Sequence, residues 1–361
     1  MRGIITAFLP AAALWLWSRS GAGVESVYAA HIYPAVGGAL QAATGPLPFS
    51  LFEVLVISGV VLLLVLGHRS VRRRKKLSFL RGVLIAAGWI VSFFLLAWGM
   101  NYGRDPLKVQ QGWDRDPAIR GPISRGEIRA LASRLCLNAR YAYEDLPPEI
   151  ASDAGSTMPY DRHELARIID RGYRTLDWLA YAPARDWESP SPKPVQVLFF
   201  PFSAAGMFSP WTSEAQYDAG LPDASLPFTV AHELAHARGF AREDEANLVG
   251  FAAAVNAGDP YARYGALRSG CSYANNALAK FDRPMSRGLR QLLPEGLRAD
   301  QRAINAHWDK KPELSMAVSD KTYDAYLKSQ GVEDGRQSYG RVVKLLVWLD
   351  RAGEITLDVS R

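Results

Sequence analysis

Cysteine is scarce in this chain, which has 361 residues and only two thiols, those of Cys136 and Cys271. Their spacing matches no metal-ligand pattern, so cysteine is excluded from the predicted functional site. In an oxidising compartment the two thiols could form a disulfide, and otherwise they would be separate buried thiols. Internal repeats and low-complexity tracts are also absent, and the length is enough for a full hydrophobic core and ordinarily for two domains.

Acidic residues are missing from one short basic stretch, residues 69–81. This stretch contains seven cations, which are Arg69, Arg72, Arg73, Arg74, Lys75, Lys76 and Arg81. The formal charge of the whole chain is +6, so removing these seven cations leaves the remaining residues at −1. The basic character therefore comes from one segment, and nucleic acid is excluded as a partner.

Two long apolar runs flank the basic stretch, at residues 49–67 and 82–100. Each has about the 20 residues that a helix needs to cross a bilayer, and Glu53 is their only charge, close to one end. We therefore predict two transmembrane helices joined by a cytoplasmic basic loop at residues 68–81. A third apolar run, residues 3–18, is predicted to be a third transmembrane helix, with a cleaved signal peptide as the alternative.

The positive-inside rule gives these helices an orientation. The basic loop belongs in the cytoplasm, so residues 1–100 form a predicted membrane domain and residues 101–361 a domain outside the cytoplasmic membrane. The lipid bilayer is one predicted partner, and the transmembrane helices could bind a further membrane protein. Residues 24–44 are predicted to form an external or interfacial helix pair broken near Pro34, with His31 in a packing or interface role.

Histidine is also rare, with six residues, yet two of them stand in the motif His232-Glu233-Leu234-Ala235-His236, an HExxH. In a helix, side chains four residues apart lie on one face, so the two imidazoles can bind one zinc ion. Glu233 follows the first of them directly and is placed to act as a general base toward water. The motif predicts a zinc hydrolase.

A second segment, from His163 to Arg167, begins with the same residues as the HExxH motif. It has arginine where the second histidine would stand. This segment is predicted to be a solvated helix face without a metal.

A hydrolytic zinc site needs a third protein ligand and an open position. Gly239 is predicted to end the first helix in a left-handed conformation, and a second helix would then begin near Arg242. On that helix Glu243 shares a face with small residues, which allow close approach to the first helix, whereas Glu245 shares its face with core residues. We predict Glu243 as the third ligand, with Glu245 as the alternative, and Asn247 as a possible partner of a ligand histidine.

The rest of the domain outside the membrane is predicted to be largely helical. A capping box at residues 124–127 opens one helix, and Pro194–Phe202 is the best strand. Further helices are predicted at residues 124–143, 161–181, 260–279, 285–293, 297–308, 320–330 and 338–349. Residues 211–218 could add an edge strand that binds an extended peptide, or form a surface loop. His307 is predicted to pack or lie on the surface.

Several sequence segments together resemble a family of bacterial membrane proteins catalogued as domain of unknown function 3810. These segments are IYPAVGGAL, LPFSLFEVL, NYGRDPL, LPFTVAHELAHARGFAREDEAN, DPYARY and DGRQSYGRVVKLL. The family is regarded as membrane-anchored zincin peptidases with an unassigned substrate. EDEAN also resembles the ExxAN signature of glutamate-type zincins, whose first glutamate binds zinc. That resemblance implies Glu243, although its step of seven residues from His236 is shorter than usual and leaves Glu245 open.

The predicted fold is thus a helical multi-pass membrane segment followed by a mainly α, zincin-like α+β domain. The predicted function is that of a zinc metalloendopeptidase of the bacterial cytoplasmic membrane, acting on a peptide or protein on the periplasmic or extracellular side. Zinc-activated water would attack the amide, with Glu233 as general base. Tyr339, Arg341 and Tyr217 are candidates for stabilising the transition state.

Two other functions would be compatible with an HExxH motif next to membrane helices. An intramembrane protease is excluded, because charged residues crowd the HExxH motif. A non-enzymatic membrane scaffold with a structural metal remains the alternative, although such a site has no use for Glu233.

Overall fold

The computed structural model describes residues 2–179, 187, 189, 191–195, 204–311 and 339–354, with the side chains of residues 339–341 left out. The chain forms two compact units. The first comprises Met1–Asp105 and Phe208–Glu214, and the second comprises Pro106–Met207 and Ala215–Arg361. The predicted helix 320–330 and the predicted strand residues 196–202 lie outside the described part of the chain.

The described part of the first unit is helical. Its helices are α1 (Arg2–Ser20), α2 (Tyr33–Thr44), α3 (Leu51–Arg72) and α4 (Lys76–Ala97), with a π-helical segment at Val24–Ile32 and a 3-10 turn at Gly99–Gly103. The π-helical segment continues directly into α2 at Tyr33, so only the helix type changes beside Pro34 and the predicted break of the helix is wrong. The basic stretch, predicted as a loop, is helical except at residues 73–75, because arginine and lysine favour helices and suit the negative C-terminal end of α3.

Two helices among the described residues are long and apolar enough to cross a membrane, and they are α3 and α4. No residue in the apolar window of α3 is buried inside the protein, whereas a core helix of a soluble protein is mostly buried. Helix α1, predicted as a third span, has 19 residues and does not belong to this pair.

Helix α1 packs against α4 in a parallel direction. Ser92 donates a hydrogen bond to the carbonyl of Ala7 (3.0 Å), and a Cβ atom at Gly88 would lie 2.8 Å from the Cβ of Ala7. Beyond the end of α4, Gly103 of the 3-10 turn approaches the backbone of Ser18. Glycine at these contacts lets the two helices come close, as small residues do between membrane helices.

Residues 208–214 complete the first unit although they are distant in sequence. The carboxylate of Glu214 is fully buried and accepts hydrogen bonds from the backbone N–H groups of Leu51 and Phe52, both at 2.9 Å. The ring of Trp211 stacks on that of Phe52, with centroids 5.6 Å apart. The first N–H groups of a helix lack internal partners and favour a negative charge, so Glu214 caps α3.

The second unit surrounds a helical core with two small sheets. Its helices are α5 (Leu107–Gln110), α6 (Pro117–Arg120), α7 (Arg125–Glu144), α8 (Arg162–Arg174), α9 (Leu226–Ala237), α10 (Glu243–Val255), α11 (Pro260–Ala279), α12 (Arg283–Gln291), α13 (Glu295–Asp309) and α14 (Tyr339–Arg351). The capping box predicted at Ser124 and Glu127 is present at the start of α7. From Glu245 onward α10 is buried at every position but Asn247, so it forms the centre of this unit.

The strands are short. β1 (Ala151–Ser152) and β2 (Gly155–Ser156) form an antiparallel pair, and β3 (Lys193–Val195), β4 (Gly206–Ser209) and β5 (Glu214–Asp218) form a sheet of order β3-β5-β4. β5 pairs with β3 in parallel and is the middle strand. The expectation that residues 211–218 supply an edge strand is therefore wrong, because the segments on both sides pair with β5. Both neighbours are too short to give a strong sequence pattern.

Cys136 on α7 and Cys271 on α11 form a disulfide, with their Cα atoms 4.6 Å apart. Both residues are buried, and the bond joins two helices that are 135 residues apart in sequence. A bond that closes so long a loop restricts the unfolded chain strongly. The choice between a disulfide and two separate thiols is thus resolved in favour of the disulfide.

Replacing Cys136 or Cys271 with alanine is expected to lower the free energy of unfolding of the second unit by about 2–4 kcal/mol. The double variant should lose about as much as either single variant, because each change breaks the same bond. Thermal unfolding of the full chain in detergent measures the three values. Additive losses in the double variant would contradict a shared bond.

Candidate metal centre

Helix α9 places His232 and His236 on one face, as the spacing predicts. Their Nε2 atoms are 3.1 Å apart. The helix ends at Gly239, whose φ of 87° is left-handed. The N–H of Gly239 donates to the carbonyl of His236 (2.8 Å) and that of Phe240 to Ala235 (3.2 Å), so the end is a Schellman motif. The left-handed turn predicted at Gly239 is confirmed.

The same turn orients His236. Its Nδ1 lies 2.7 Å from the carbonyl oxygen of Phe240, and since a carbonyl only accepts, Nδ1 carries the hydrogen. The neutral ring then has its lone pair on Nε2, which faces His232 and Glu243. A hydrogen bond of this kind fixes the tautomer of a metal-binding histidine.

Glu243 is the first residue of α10, and its carboxylate reaches both histidines. Its Oε2 lies 3.2 Å from Nε2 of His232, and its Oε1 lies 3.5 Å from Nε2 of His236. One ligand atom from each residue can be chosen so that all three lie within 4.8 Å of one another. Glu245 points elsewhere, because its Oε1 accepts a hydrogen bond from the backbone N–H of Leu107 (2.8 Å).

A close approach of the two helices makes this arrangement possible. A Cβ atom at Gly250 would lie 2.9 Å from the carbonyl carbon of Ala231 and 2.9 Å from the nitrogen of His232. Both atoms belong to the backbone of α9 and cannot move aside alone. Glycine at this position therefore sets the distance at which Glu243 meets the histidines.

Glu233 lies beside the three-residue cluster and is almost fully buried. Its Oε2 has no hydrogen-bond partner among the described residues. The backbone of strand β4 closes against it, since a Cβ atom at Gly206 would lie 2.4 Å from Oε1 of Glu233. Burial raises the pKa of Glu233 to about 7, although His232 and His236 oppose the shift. A carboxyl group with such a pKa can exchange a proton near neutral pH.

The remaining charges of the centre are strongly coupled. Burial lowers the pKa of His236, but the Glu243 carboxylate opposes this effect and holds the pKa at about 9. Burial raises the pKa of Glu243, but His236 and His232 lower it well below its usual value. The cluster therefore favours a positive charge between the imidazoles and the carboxylate, which a proton or a metal cation can supply.

The donor atoms fit zinc. Two imidazole nitrogens and one carboxylate oxygen are a common ligand set of catalytic zinc, which keeps a further position open. The side chains of His232, His236 and Glu243 are 14%, 7% and 21% exposed, so water can reach the centre. His232 Nδ1 is buried without a partner among the described residues, so only the Nε2 side of this ring has polar contacts.

The other predicted site residues are Asn247, Tyr217, Tyr339 and Arg341. Asn247 donates to the carbonyl of Glu243 (2.7 Å) and accepts from the hydroxyl of Tyr273 (3.3 Å), with no hydrogen bond to a histidine among the described residues. Tyr217 lies in β5, opposite Pro194 of β3. The helix α14 begins at Tyr339, and the side chains of Tyr339 and Arg341 lie outside the described part.

The structure also describes three histidines outside this cluster that were considered in the sequence. His163 is exposed at the start of α8, where Asp161 caps the helix. His307 lies 3.1 Å from the carboxylate of Asp218, which also binds Lys311 (2.7 Å). His31 is exposed in the π-helical segment. Each is compatible with a structural role.

Arg238 is an important residue that the sequence did not single out. It is fully buried and donates to the carboxylate of Asp170 (2.6 Å) and to the carbonyl of Trp187 (2.9 Å). Its guanidinium also lies 3.9 Å from the ring centroid of Tyr173. These contacts attach the end of α9 to α8. No local sequence pattern marks this arginine, because its partner Asp170 is 68 residues away in the sequence.

Two aromatic residues near the histidines also escaped sequence reasoning. Phe228 lies 6.5 Å from His232 and 5.8 Å from Tyr273, measured between ring centroids. Because the hydroxyl of Tyr273 also donates a hydrogen bond to Asn247, this small cluster connects the two helices that carry the candidate ligands. No local pattern marks these residues, since α11 is distant in sequence.

The close contact between α9 and α10 can be tested with Gly250→Ala. The added Cβ meets backbone atoms, so the free energy of unfolding is expected to fall by about 1–3 kcal/mol, as for other overpacked cores. Gly288→Ala is the matched control, because nothing lies within 4 Å of its added Cβ and alanine favours a helix. Thermal unfolding of the full chain should show a loss only at position 250. Equal stability of both variants contradicts the close approach.

Comparison with known proteins identifies one family. No curated protein and no solved structure matches the chain. The family model described as "Protein of unknown function (DUF3810)" matches residues 28–347, which include both apolar helices and the candidate metal centre. The resemblance to this family is confirmed: the chain belongs to the DUF3810 family.

Proposed function

We propose that the protein is a zinc-dependent, zincin-like metallopeptidase anchored in the bacterial cytoplasmic membrane. One observation carries the proposal: His232, His236 and Glu243 converge, while Glu233 lies beside them with one oxygen unpartnered among the described residues. The sequence order HExxH followed by a glutamate-bearing helix agrees with this geometry.

The residues have distinct roles in this proposal. His232, His236 and Glu243 would hold zinc, and Glu245 would not, because its carboxylate binds the backbone of Leu107. Bound zinc supplies a Lewis acid that polarises a peptide carbonyl and acidifies water. The turn at Phe240 keeps the Nε2 lone pair of His236 available for this purpose.

Glu233 would perform the proton transfers. Its unpartnered Oε2 accepts a proton from the attacking water and then returns this proton to the leaving amine nitrogen. Burial favours the neutral form and so raises the proton affinity of the carboxylate, which suits a group that must both take and give a proton near pH 7.

Three observations support the membrane location. Helices α3 and α4 are long and apolar enough to span a bilayer, and the seven cations stand where they meet. By the positive-inside rule this end lies in the cytoplasm. The disulfide between Cys136 and Cys271 fits an oxidising compartment, such as the periplasm or the exterior.

The proposal is tested on the full chain in detergent by measuring zinc content and peptide hydrolysis. Glu233→Gln should retain one zinc per chain and lose activity by about 100-fold or more, because only the general base is removed. His232→Ala and Glu243→Ala should lose both zinc and activity. His163→Ala, which alters the exposed histidine of the similar segment, is the matched control and should change neither.

The same experiment separates an enzyme from a scaffold with a structural metal. A scaffold would bind zinc, show no hydrolysis in the wild type and be unaffected by Glu233→Gln. Loss of zinc in Glu245→Ala but not in Glu243→Ala would overturn the ligand assignment.

Zinc affinity should depend on pH in a defined direction. The pKa of His236 in the metal-free protein is raised to about 9, so the ring is protonated below that pH and must lose its proton to bind a metal. The apparent affinity is therefore expected to rise about tenfold per pH unit between pH 6 and 9. Competition with a chelator at each pH measures this slope. An affinity that stays constant over this range contradicts the coupling of His236 to Glu243.

A further inference from the structure

We propose that one end of the first unit is a binding surface for the headgroups of anionic phospholipids. This surface, called the basic tip, comprises Arg2 and the seven cations at the junction of α3 and α4. The seven are Arg69, Arg72, Arg73, Arg74, Lys75, Lys76 and Arg81, and all of them are exposed. The proposal goes beyond the zinc chemistry and rests only on the proposed membrane location of α3 and α4.

Arg2, at the start of α1, also lies at this surface, although it is far from the seven other cations in the sequence. A Cβ atom at Gly3 would lie 3.7 Å from Nη2 of Arg81 and 3.3 Å from Ile85. Helix α1 therefore begins beside the start of α4, and its exposed Arg2 adds an eighth cation.

No acidic residue neutralises the basic tip. The sequence contains no aspartate or glutamate between Glu53 and Asp105, and no ion pair among the described residues involves these eight cations. Glu53 stands in the first turn of α3, about 24 Å of helix from Arg69. That distance exceeds the Debye length of about 8 Å at physiological ionic strength, so the surface keeps its positive potential.

The conformation of the turn between α3 and α4 indicates that the charge of Arg74 does not serve to stabilise the fold. Arg74 has a left-handed φ of 52°, and the N–H of Lys75 donates to the carbonyl of Ser70 (2.9 Å). This is the pattern of a Schellman turn, in which glycine is the favoured residue at the left-handed position. The turn is less stable with arginine than with glycine at this position, but arginine adds a cation to the surface.

Apolar side chains among the cations favour a bilayer over a soluble anion. Val71, Leu77 and Leu80 are 57%, 81% and 52% exposed. Guanidinium and ammonium groups bind phosphate oxygens through charge-assisted hydrogen bonds, and clusters of four to eight such cations next to a membrane helix attract anionic lipids. A nucleic acid would match the cations but would leave these apolar side chains in water.

The test measures lipid binding to the full chain in detergent by native mass spectrometry. Wild type is expected to bind phosphatidylglycerol at least tenfold more tightly than phosphatidylcholine. The triple variant Arg72→Gln, Arg73→Gln, Arg74→Gly should bind phosphatidylglycerol roughly 10- to 100-fold more weakly, since three attractive charges are lost. Zinc content should stay unchanged, which separates this outcome from a failure of the proposed metal centre.

Two controls keep the test decisive. The triple variant Arg283→Gln, Arg287→Gln, Arg290→Gln removes three exposed arginines from α12 and should bind both lipids as wild type does. Arg74→Gly alone should maintain or raise the unfolding temperature while weakening phosphatidylglycerol binding, which separates charge from folding.

Equal binding of the two lipids, or an unaffected first triple variant, overturns the proposal. The proposal is also overturned if inorganic phosphate at the same concentration as the lipid displaces it completely. Tighter binding of a short RNA than of phosphatidylglycerol would overturn it as well. Either result assigns the surface to a soluble anion.

Discussion

Two helices can bring three ligand side chains together only if their backbones come unusually close, and the crossing of α9 and α10 provides this approach. Gly250 removes the side chain that would hold the helices apart, and Gly239 reverses the chain within a few residues. Glu243 then begins α10 directly opposite His232 and His236. Several contacts in the second unit hold these two helices in place.

The support consists largely of buried polar contacts with definite partners. Arg238 attaches the end of α9 to Asp170 on α8, and the hydroxyl of Tyr173 donates to the carbonyl of Ala231 at 2.7 Å. Glu245 fixes the other helix by binding the backbone of Leu107. A buried charge is costly without a partner, so these pairs hold the helices in one arrangement. Glu233 is the contrast, because one of its oxygens has no such partner among the described residues.

Local periodicity predicted much of the site. The spacing of His232 and His236 places them on one face of their helix. Helical spacing also places Glu243 on a face with small residues and Glu245 on the face with core residues, which favoured Glu243 as the ligand. The sequence could not indicate that strand β4 closes on Glu233 through Gly206, since that contact joins segments of different secondary structure.

The remaining differences also have physical reasons. The sheet order was missed because β3 and β4 have only three and four residues, too few for an alternating pattern. The basic loop was predicted from its charge, but charge does not end a helix, and Arg69 and Arg72 continue α3 through its last turn. Long-range pairing, as between Arg238 and Asp170, leaves no local signal.

Glu214 has a consequence for the order in which the protein can mature. The first unit contains residues 208–214, so ribosomal synthesis must pass residue 214 before α3 receives the carboxylate that caps it. Until then, the backbone N–H groups of Leu51 and Phe52 lack the carboxylate that accepts their hydrogen bonds in the folded protein. The first unit is therefore completed late, although most of its residues are synthesised first.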